Sequence, residues 1–349
     1  MHPPKNRLLS KTEQNKLINI LSVHLDGDIM TGDMKHIMVT GAVGQIGSEL
    51  TMALREKYGG DNVLALGRKT APSEELLESG PFEYVDVTNK DALSAILKDY
   101  NIDTIYHMAA ILSGVGEKNP DLAYTVNMDG LKNVLDVAKE LKITRILAPS
   151  SIAVFGPETP QHNTPQETVL KPKTMYGVTK VAGELLCDYY FHKYGLDVRG
   201  LRYPGIISWK TPPGGGTTDY AVAIYYDAVQ KGSYKCFVQE DTMLPMMYMP
   251  DAVRSIIQLA EAPLENLKHH SDFNITAMSF TAGELAESIK KHMPDFAVTY
   301  EPDFRQAIAD SWPKSIDDTA AREEWGWNPQ YDLDAMTEDM LTNLKKKFA

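Results

Sequence analysis

Tyr176 and Lys180 stand four residues apart in MYGVTKVAGELL, and on a helix that spacing sets both side chains on one face. A phenol titrates near pH ~10 and is a poor base at neutrality. A neighbouring ammonium favours the phenolate, which gives the pair the makings of a general base. The spacing alone is cheap, because Tyr189 and Lys193 repeat it further along the same stretch. What distinguishes the first pair is RILAPSSIAVFG upstream, which leaves Ser150 and Ser151 at the end of an apolar strand. Ligands of open α/β sheets bind at such strand ends. A hydroxyl there can stabilise an alkoxide as it forms. Paired serines after a strand also begin loops or cap helices.

A second group lies near the start of the ordered pattern. HIMVT reads as a buried strand and SELTMALREKYG as a helix, and between them stands GAVGQIG with Gly41, Gly44 and Gly47. Glycines allow a tight turn, close backbone approach to a pyrophosphate and close packing of helix on strand. The free N–H groups of the helix start then face the anion. This is a dinucleotide reading, with Gln45 and Ile46 of the same turn among the contacting residues. An oxidised nicotinamide held there adds positive charge beside Tyr176. Asp86 and Val87 end a short strand, where the carboxylate either accepts from an adenine amino group or merely precedes a helix capped by Thr88 or Asn89. The strand end in VLALGRK carries Gly67 and Arg68 where an acid is expected to grip the adenosine ribose. NAD is the expected cofactor, and NADP is not excluded, because Arg68 can pair with a 2′-phosphate.

These residues need a scaffold. From Lys35 onward short apolar runs alternate with amphipathic ones: NVLAL, FEYVDV, KDALSAILKDY, TIYHMA, a helix through NMDGLKNVLDVAKEL, a helix over about 175–194 and the strand VRGLRYP. Such alternation implies a parallel sheet covered on both faces, a Rossmann-type doubly wound α/β fold. After Pro204 the rhythm breaks at WKTPPGGGTTDYA, and a smaller α/β portion follows, including the Met-rich LPMMYM. The expected division is a leader over 1–33, a dinucleotide-binding domain over 34–204 with later segments returning to it, and a mainly substrate-binding domain over 205–349. The leader is basic and loosely amphipathic. It is read either as a mitochondrial transit peptide or as a disordered extension, the protein then being cytoplasmic.

Bulk properties exclude several classes. A formal charge of −12 argues against nucleic acid as a partner. Two cysteines, Cys187 and Cys236, give no disulfide framework. No apolar run approaches the ~20 residues needed to span a bilayer. The nine histidines show no metal-ligand spacing, and His269-His270 reads as exposed loop.

TGAVGQIG, HMAA, PSSIAVFGPETP and YGVTK resemble the extended short-chain dehydrogenase/reductases from Met34 onward. Within them, ILSGVGEKNPDLAYTVNMDG, LRYPGIIS, GGGTTDYAV, LPMMYMPDA and DSWPKSIDD resemble the short-chain L-threonine 3-dehydrogenase family. The resemblance implies that Ser151 bonds the reacting hydroxyl, that Tyr176 is the base, and that Lys180 holds the nicotinamide ribose and lowers the tyrosine pKa. It adds Ala109 and Tyr203 to the cofactor contacts, and Ser113, Ser150, Thr217, Thr218 and Trp312 around the substrate. It implies oxidation of L-threonine without a metal, and a homodimer. The alternatives on the same scaffold are a sugar-nucleotide epimerase or dehydratase and a non-catalytic dinucleotide sensor.

Overall fold

A computed structural model describes residues 33–214 and 216–349. Apart from Asp33, the leader lies outside the described residues. The strands in chain order begin with β1 (Ile37–Thr40), β2 (Val63–Gly67), β3 (Phe82–Tyr84), β4 (Thr104–His107), β5 (Arg145–Leu147), β6 (Ser150–Ser151), β7 (Asp197–Arg199) and β8 (Leu201–Tyr203). Six of them form a wholly parallel sheet in the order β3-β2-β1-β4-β5-β7. The order reverses between β1 and β4, and that switch point opens the crevice where ligands of such sheets bind.

The apolar runs are strands because both sheet faces are covered. On one face the helices Gln45–Tyr58 and Met249–Glu261 bury Leu50, Leu54, Ile256 and Leu259. On the other, the helices Lys90–Asp99, Gly130–Leu141 and Met175–Tyr194 bury Leu93, Leu97, Val134, Ala138 and Cys187. Side chains that face a helix from either side leave no polar alternation in the strands.

The stretch VRGLRYP does not run as one strand. It breaks at Gly200, where a Cβ would lie 2.5 Å from the Ser271 carbonyl oxygen and 2.6 Å from that of Ala148. The Gly200 N–H donates to His270 O at 2.8 Å, and Phe273 N donates back to Gly200 O at 3.2 Å. Beyond this kink β8 pairs with β6 and with a later strand, β12 (Phe273–Asn274).

A second core lies beyond the sheet. Here β9 (Gly205–Ile207), β11 (Met243–Tyr248) and β13 (Met278–Thr281) form one small sheet, and β10 (Ser233–Cys236) pairs with β14 (Ala297–Tyr300). The Met-rich LPMMYM forms β11 up to Tyr248 and its last residue starts the helix Met249–Glu261, and Met246 and Met247 are fully buried. The helices Tyr220–Lys231, Ala282–His292 and Leu333–Phe348 close over this core through Tyr225, Ile289 and Met340.

A buried ionic cluster fastens the returning helix Met249–Glu261 to the sheet. Asp197 accepts from Arg145 Nε at 2.8 Å, from Arg199 Nε at 2.8 Å and from Arg199 Nη2 at 2.9 Å. Arg199 Nη1 then donates to the carbonyls of Leu259 and Ala262, each at 2.7 Å. Cations at a helix C-terminus satisfy its unpaired carbonyls and oppose its dipole.

The reading of His269-His270 as exposed loop is corrected. His269 Nδ1 sits 2.6 Å from Glu324 Oε1, and the His270 ring stacks on Phe191 at 3.7 Å between centroids. Both imidazoles anchor the segment that leads into β12. No helix among the described residues is long and apolar enough to cross a membrane.

Candidate active site

The phosphate turn is built by contacts that only glycine permits. Gly41 has φ +66°, and a Cβ on it would lie 2.8 Å from Ala109 N. A Cβ on Gly47 would lie 2.2 Å from Gly41 O, so the helix can rest on the turn only without one. Gly44 N donates to Gly41 O at 2.9 Å, and Gly44 caps the helix with no side chain over its free N–H groups. No acidic residue occupies the first turn, which leaves the positive end of the helix open to an anion. Thr40 ties the neighbouring strand end in place: its Oγ1 accepts from Ala109 N at 3.2 Å and shares a 3.0 Å hydrogen bond with His107 Nδ1. Burial, helped by the charge of Lys180, pushes the His107 imidazole down to about 3, so it is neutral at any working pH.

Thr174 caps the helix Met175–Tyr194, accepting from Gly177 N at 3.1 Å, and thereby starts the helix one residue before Tyr176. Ser151 is itself the cap of a short turn and accepts from Ala153 N at 3.2 Å. Ser151 and Tyr176 line the same cleft, and the Ser151 hydroxyl favours the ionised Tyr176 phenol. Lys180 Nζ donates to Pro149 O at 2.7 Å and lies 5.6 Å from the Tyr176 ring centre. The spacing therefore does bring Ser151, Tyr176 and Lys180 together. The second pair, Tyr189 and Lys193, is exposed and carries no such surroundings.

The electrostatics differ from a simple lysine-activated tyrosine. Burial pushes the Tyr176 phenol up to about 12, and the Ser151 hydrogen bond offsets this only in part. Burial also brings the Lys180 ammonium down to about 8. At neutral pH a phenol of that pKa is ionised to roughly one part in 10⁵. Lys180 alone does not bring the Tyr176 phenol toward neutrality, and a further positive charge beside the phenol would favour its ionised form.

One cleft of about 870 Å³ is lined by Gln45, Ile46, Ser113, Ser150, Ser151, Tyr176, Lys180, Tyr203, Thr217, Thr218 and Trp312. Three buried polar atoms in it have no partner among the described residues: Gln45 Nε2, Ser150 Oγ and Thr217 Oγ1. Unpaired buried donors and acceptors are costly, and here they point to a ligand that completes them. Together with the glycine turn they fit the nicotinamide end of a dinucleotide beside a small polar substrate. Tyr203 contributes its ring, since its hydroxyl is turned away to Ala252 O at 2.7 Å. Thr217 and Thr218 lie on a short turn, Thr217–Asp219, packed against Gly205, where a Cβ would meet Thr218 Cγ2 at 2.9 Å. Trp312 is buried and forms one wall.

Some participants escaped the sequence reading. His107 and Asp219 line the cleft, and Lys180 and Asp219 are its charged lining residues besides the neutral histidine. Asp219 accepts from Gly216 N at 2.8 Å, shaping the loop. Its signal was legible as the acid directly after GGGTT. Asn127 sits in a π-helical turn, Thr125–Asp129. It brackets the Ile111 backbone and donates to Thr179 Oγ1 at 3.1 Å, linking the loop after β4 to the helix Met175–Tyr194. Nothing in the local pattern announces that role.

The remaining expected cofactor residues lie outside the cleft. Arg68 and Asp86 face each other across the ends of β2 and β3, with Nη1 3.8 Å from Oδ2. Asp86 Oδ1 accepts from Thr88 N and Oγ1 at 3.0 and 2.7 Å, while Asn89 caps the following helix. Burial raises the Asp86 carboxyl, but the Thr88 bonds and the charges of Arg68 and Lys69 bring it below its usual value. Val87 is buried and offers its carbonyl to Asn133 Nδ2 at 3.1 Å. Ala109 lines a smaller neighbouring cavity with Asn127, Lys180 and Cys187.

Residues 37–276 match the NAD dependent epimerase/dehydratase family. An uncharacterized epimerase/dehydratase of Staphylococcus haemolyticus is 51% identical over 315 residues, covering 90% of this chain and 99% of that protein. The X-ray structure of L-threonine dehydrogenase from Clostridium difficile is similar at 54% identity with a TM-score of 0.88, covering 90% and 99% of the two chains. A monomeric L-threonine 3-dehydrogenase from a metagenome is similar at 51% identity and TM-score 0.86, covering 90% and 100%.

Proposed function

The chain belongs to the NAD dependent epimerase/dehydratase family, and we propose that within it the protein oxidises the side-chain hydroxyl of L-threonine to 2-amino-3-oxobutanoate, with hydride passing to NAD⁺. The observation that carries this reading is the make-up of the cleft. It joins Ser151, Tyr176 and Lys180 to a set of small hydroxyls, with a single lysine and a single carboxylate among its lining residues. A nucleotide-sugar substrate calls for cations around a second pyrophosphate, which this lining does not supply. The similar structures of L-threonine dehydrogenases support the same substrate.

In this reading the turn at Gly41, Gly44 and Gly47 holds the pyrophosphate, with Gln45 and Ile46 toward the nicotinamide side and Ala109 and Tyr203 beside it. Arg68, Asp86 and Val87 surround the adenosine. When bound, the nicotinamide supplies the hydride acceptor. Threonine lies with its carboxylate toward Ser113, Thr217 and Thr218, its ammonium toward Asp219, and its methyl-bearing carbon against Trp312. Ser150 and Ser151 hold the reacting hydroxyl. Tyr176 Oη takes the hydroxyl proton as hydride leaves the β-carbon, and Ser151 and the resulting phenol then hold the new carbonyl oxygen. Lys180 holds the nicotinamide ribose and keeps the phenolate paired.

The pairing of two copies is part of the same proposal. Val178, Leu185 and Tyr189 of the catalytic helix and Leu122 and Tyr124 beside it are exposed apolar residues, an arrangement suited to a helix-to-helix homodimer. Sedimentation equilibrium is expected to show twice the chain mass of 38.9 kDa. A monomer at all concentrations would remove the dimer and leave the chemistry standing.

The experiment for the reaction itself is a coupled reading of threonine loss and reduced nicotinamide. Equal amounts of both are expected, with UDP-sugars inert. Turnover of a UDP-sugar without accumulation of reduced nicotinamide would transfer the reading to the epimerase alternative.

A further inference from the structure

The strand end of β2 lacks the acid that would favour an unphosphorylated ribose, and the space for it is filled. A Cβ on Gly67 would lie 2.7 Å from Phe82 Cζ and 3.6 Å from Val43 Cγ1. Val43 belongs to the phosphate turn, so this position faces the corner where the adenosine ribose must lie. The Phe82 ring is braced edge-on by Tyr84, with centroids 5.0 Å apart. No carboxylate can project from position 67 until that ring moves.

The charge in the corner comes from the next residue. The Arg68 side chain is 47% exposed, and its Nη1 is 3.8 Å from Asp86 Oδ2, beyond hydrogen-bond length. The other Asp86 oxygen is engaged by Thr88. Lys69 follows directly and is also exposed. A guanidinium so loosely paired can turn to a phosphate and make two parallel N–H to oxygen bonds, the geometry in which arginine binds phosphate best. An acid at the strand end repels a 2′-phosphate, and an arginine accommodates one.

We propose that the adenosine end of this site accepts a 2′-phosphate with Arg68 as its partner, so that the protein takes NADP as readily as NAD. The proposal rests on the dinucleotide reading of the cleft. Phe82 acts as the residue that keeps the discriminating position empty, and Arg68 as the one that reads the phosphate.

Equilibrium fluorescence titration of the full chain with NADH and NADPH tests this without any turnover. The two dissociation constants are expected to agree within about tenfold. Arg68→Ala is expected to shift their ratio against NADPH by about tenfold or more, the effect of losing a charge-assisted hydrogen bond. Gly67→Asp combined with Phe82→Ala, which frees the space for a carboxylate, is expected to turn the site against NADPH. NADPH binding more than tenfold weaker than NADH in the wild-type protein overturns the proposal. So does an Arg68→Ala loss shared equally by both dinucleotides. Failure of both dinucleotides to bind overturns the dinucleotide reading itself and is thereby distinguishable.

Discussion

Tyr176→Phe is expected to lower kcat for threonine oxidation by about 10³-fold, the loss that follows if the phenol is the general base acting in the transition state. The substitution removes one oxygen from a buried ring and leaves the packing of that ring intact. The fold and the binding of reduced nicotinamide are therefore retained, and the loss falls on kcat rather than on KM. The wild-type pH profile gives the sign of the effect. Burial pushes the phenol up to about 12, and a cationic nicotinamide beside it would bring it down. Activity therefore rises with pH up to the lowered phenol pKa, and the apparent pKa measured with cofactor bound lies below 12. Stopped-flow single turnovers of both proteins across pH check this. Equal rates for the variant and the wild type would remove Tyr176 from the reaction.

The second large effect is on stability. Asp197→Ala is expected to cost about 3–5 kcal/mol, the range for breaking a buried ion pair from one side. Asp197 and Arg199 are almost wholly buried, and Asp197 is the carboxylate that Arg145 and Arg199 share. Its removal leaves two guanidiniums facing each other with only helix-end carbonyls for partners. The returning helix Met249–Glu261 then loosens from the sheet, and with it Ala252, whose carbonyl holds the Tyr203 hydroxyl. Urea unfolding measures the difference. By contrast the exposed Lys132, paired at 2.6 Å with the half-buried Asp136, is expected to contribute less than about 1 kcal/mol. A similar cost for Lys132→Ala and Asp197→Ala would contradict the weight placed on the buried cluster.

The fold was legible because strand and helix periodicities alternate cleanly. Gly41, Gly44 and Gly47 sit where their strand–turn–helix context places them, and the helix over 175–194 begins and ends where its cap and Gly195 require. The cleft was legible where a motif spaces its lining residues, and Ser151, Tyr176 and Lys180 do meet there. It was not legible where chain segments distant in sequence meet. Gly200 breaks a strand because Ala148 and Ser271 crowd it, and no local pattern records that crowding. His269 and His270 looked like loop for the same reason, since Glu324 and Phe191 are remote in sequence. Helical spacing brings Lys180 near, but burial of the phenol outweighs it, and burial is a property of the assembled cleft. At VLALGRK the missing acid was visible in the sequence, and the ring of Phe82 that occupies the space beside Gly67 was not.

The central claim is direct hydride transfer from the β-carbon of threonine, and isotopic labelling tests it most directly. L-Threonine carrying deuterium at that carbon is incubated with the protein and NAD⁺, and the reduced nicotinamide is analysed by mass spectrometry. The account predicts one deuterium in each reduced nicotinamide formed. Deuterium retained in the amino acid, or lost to solvent with no labelled reduced nicotinamide, would contradict it.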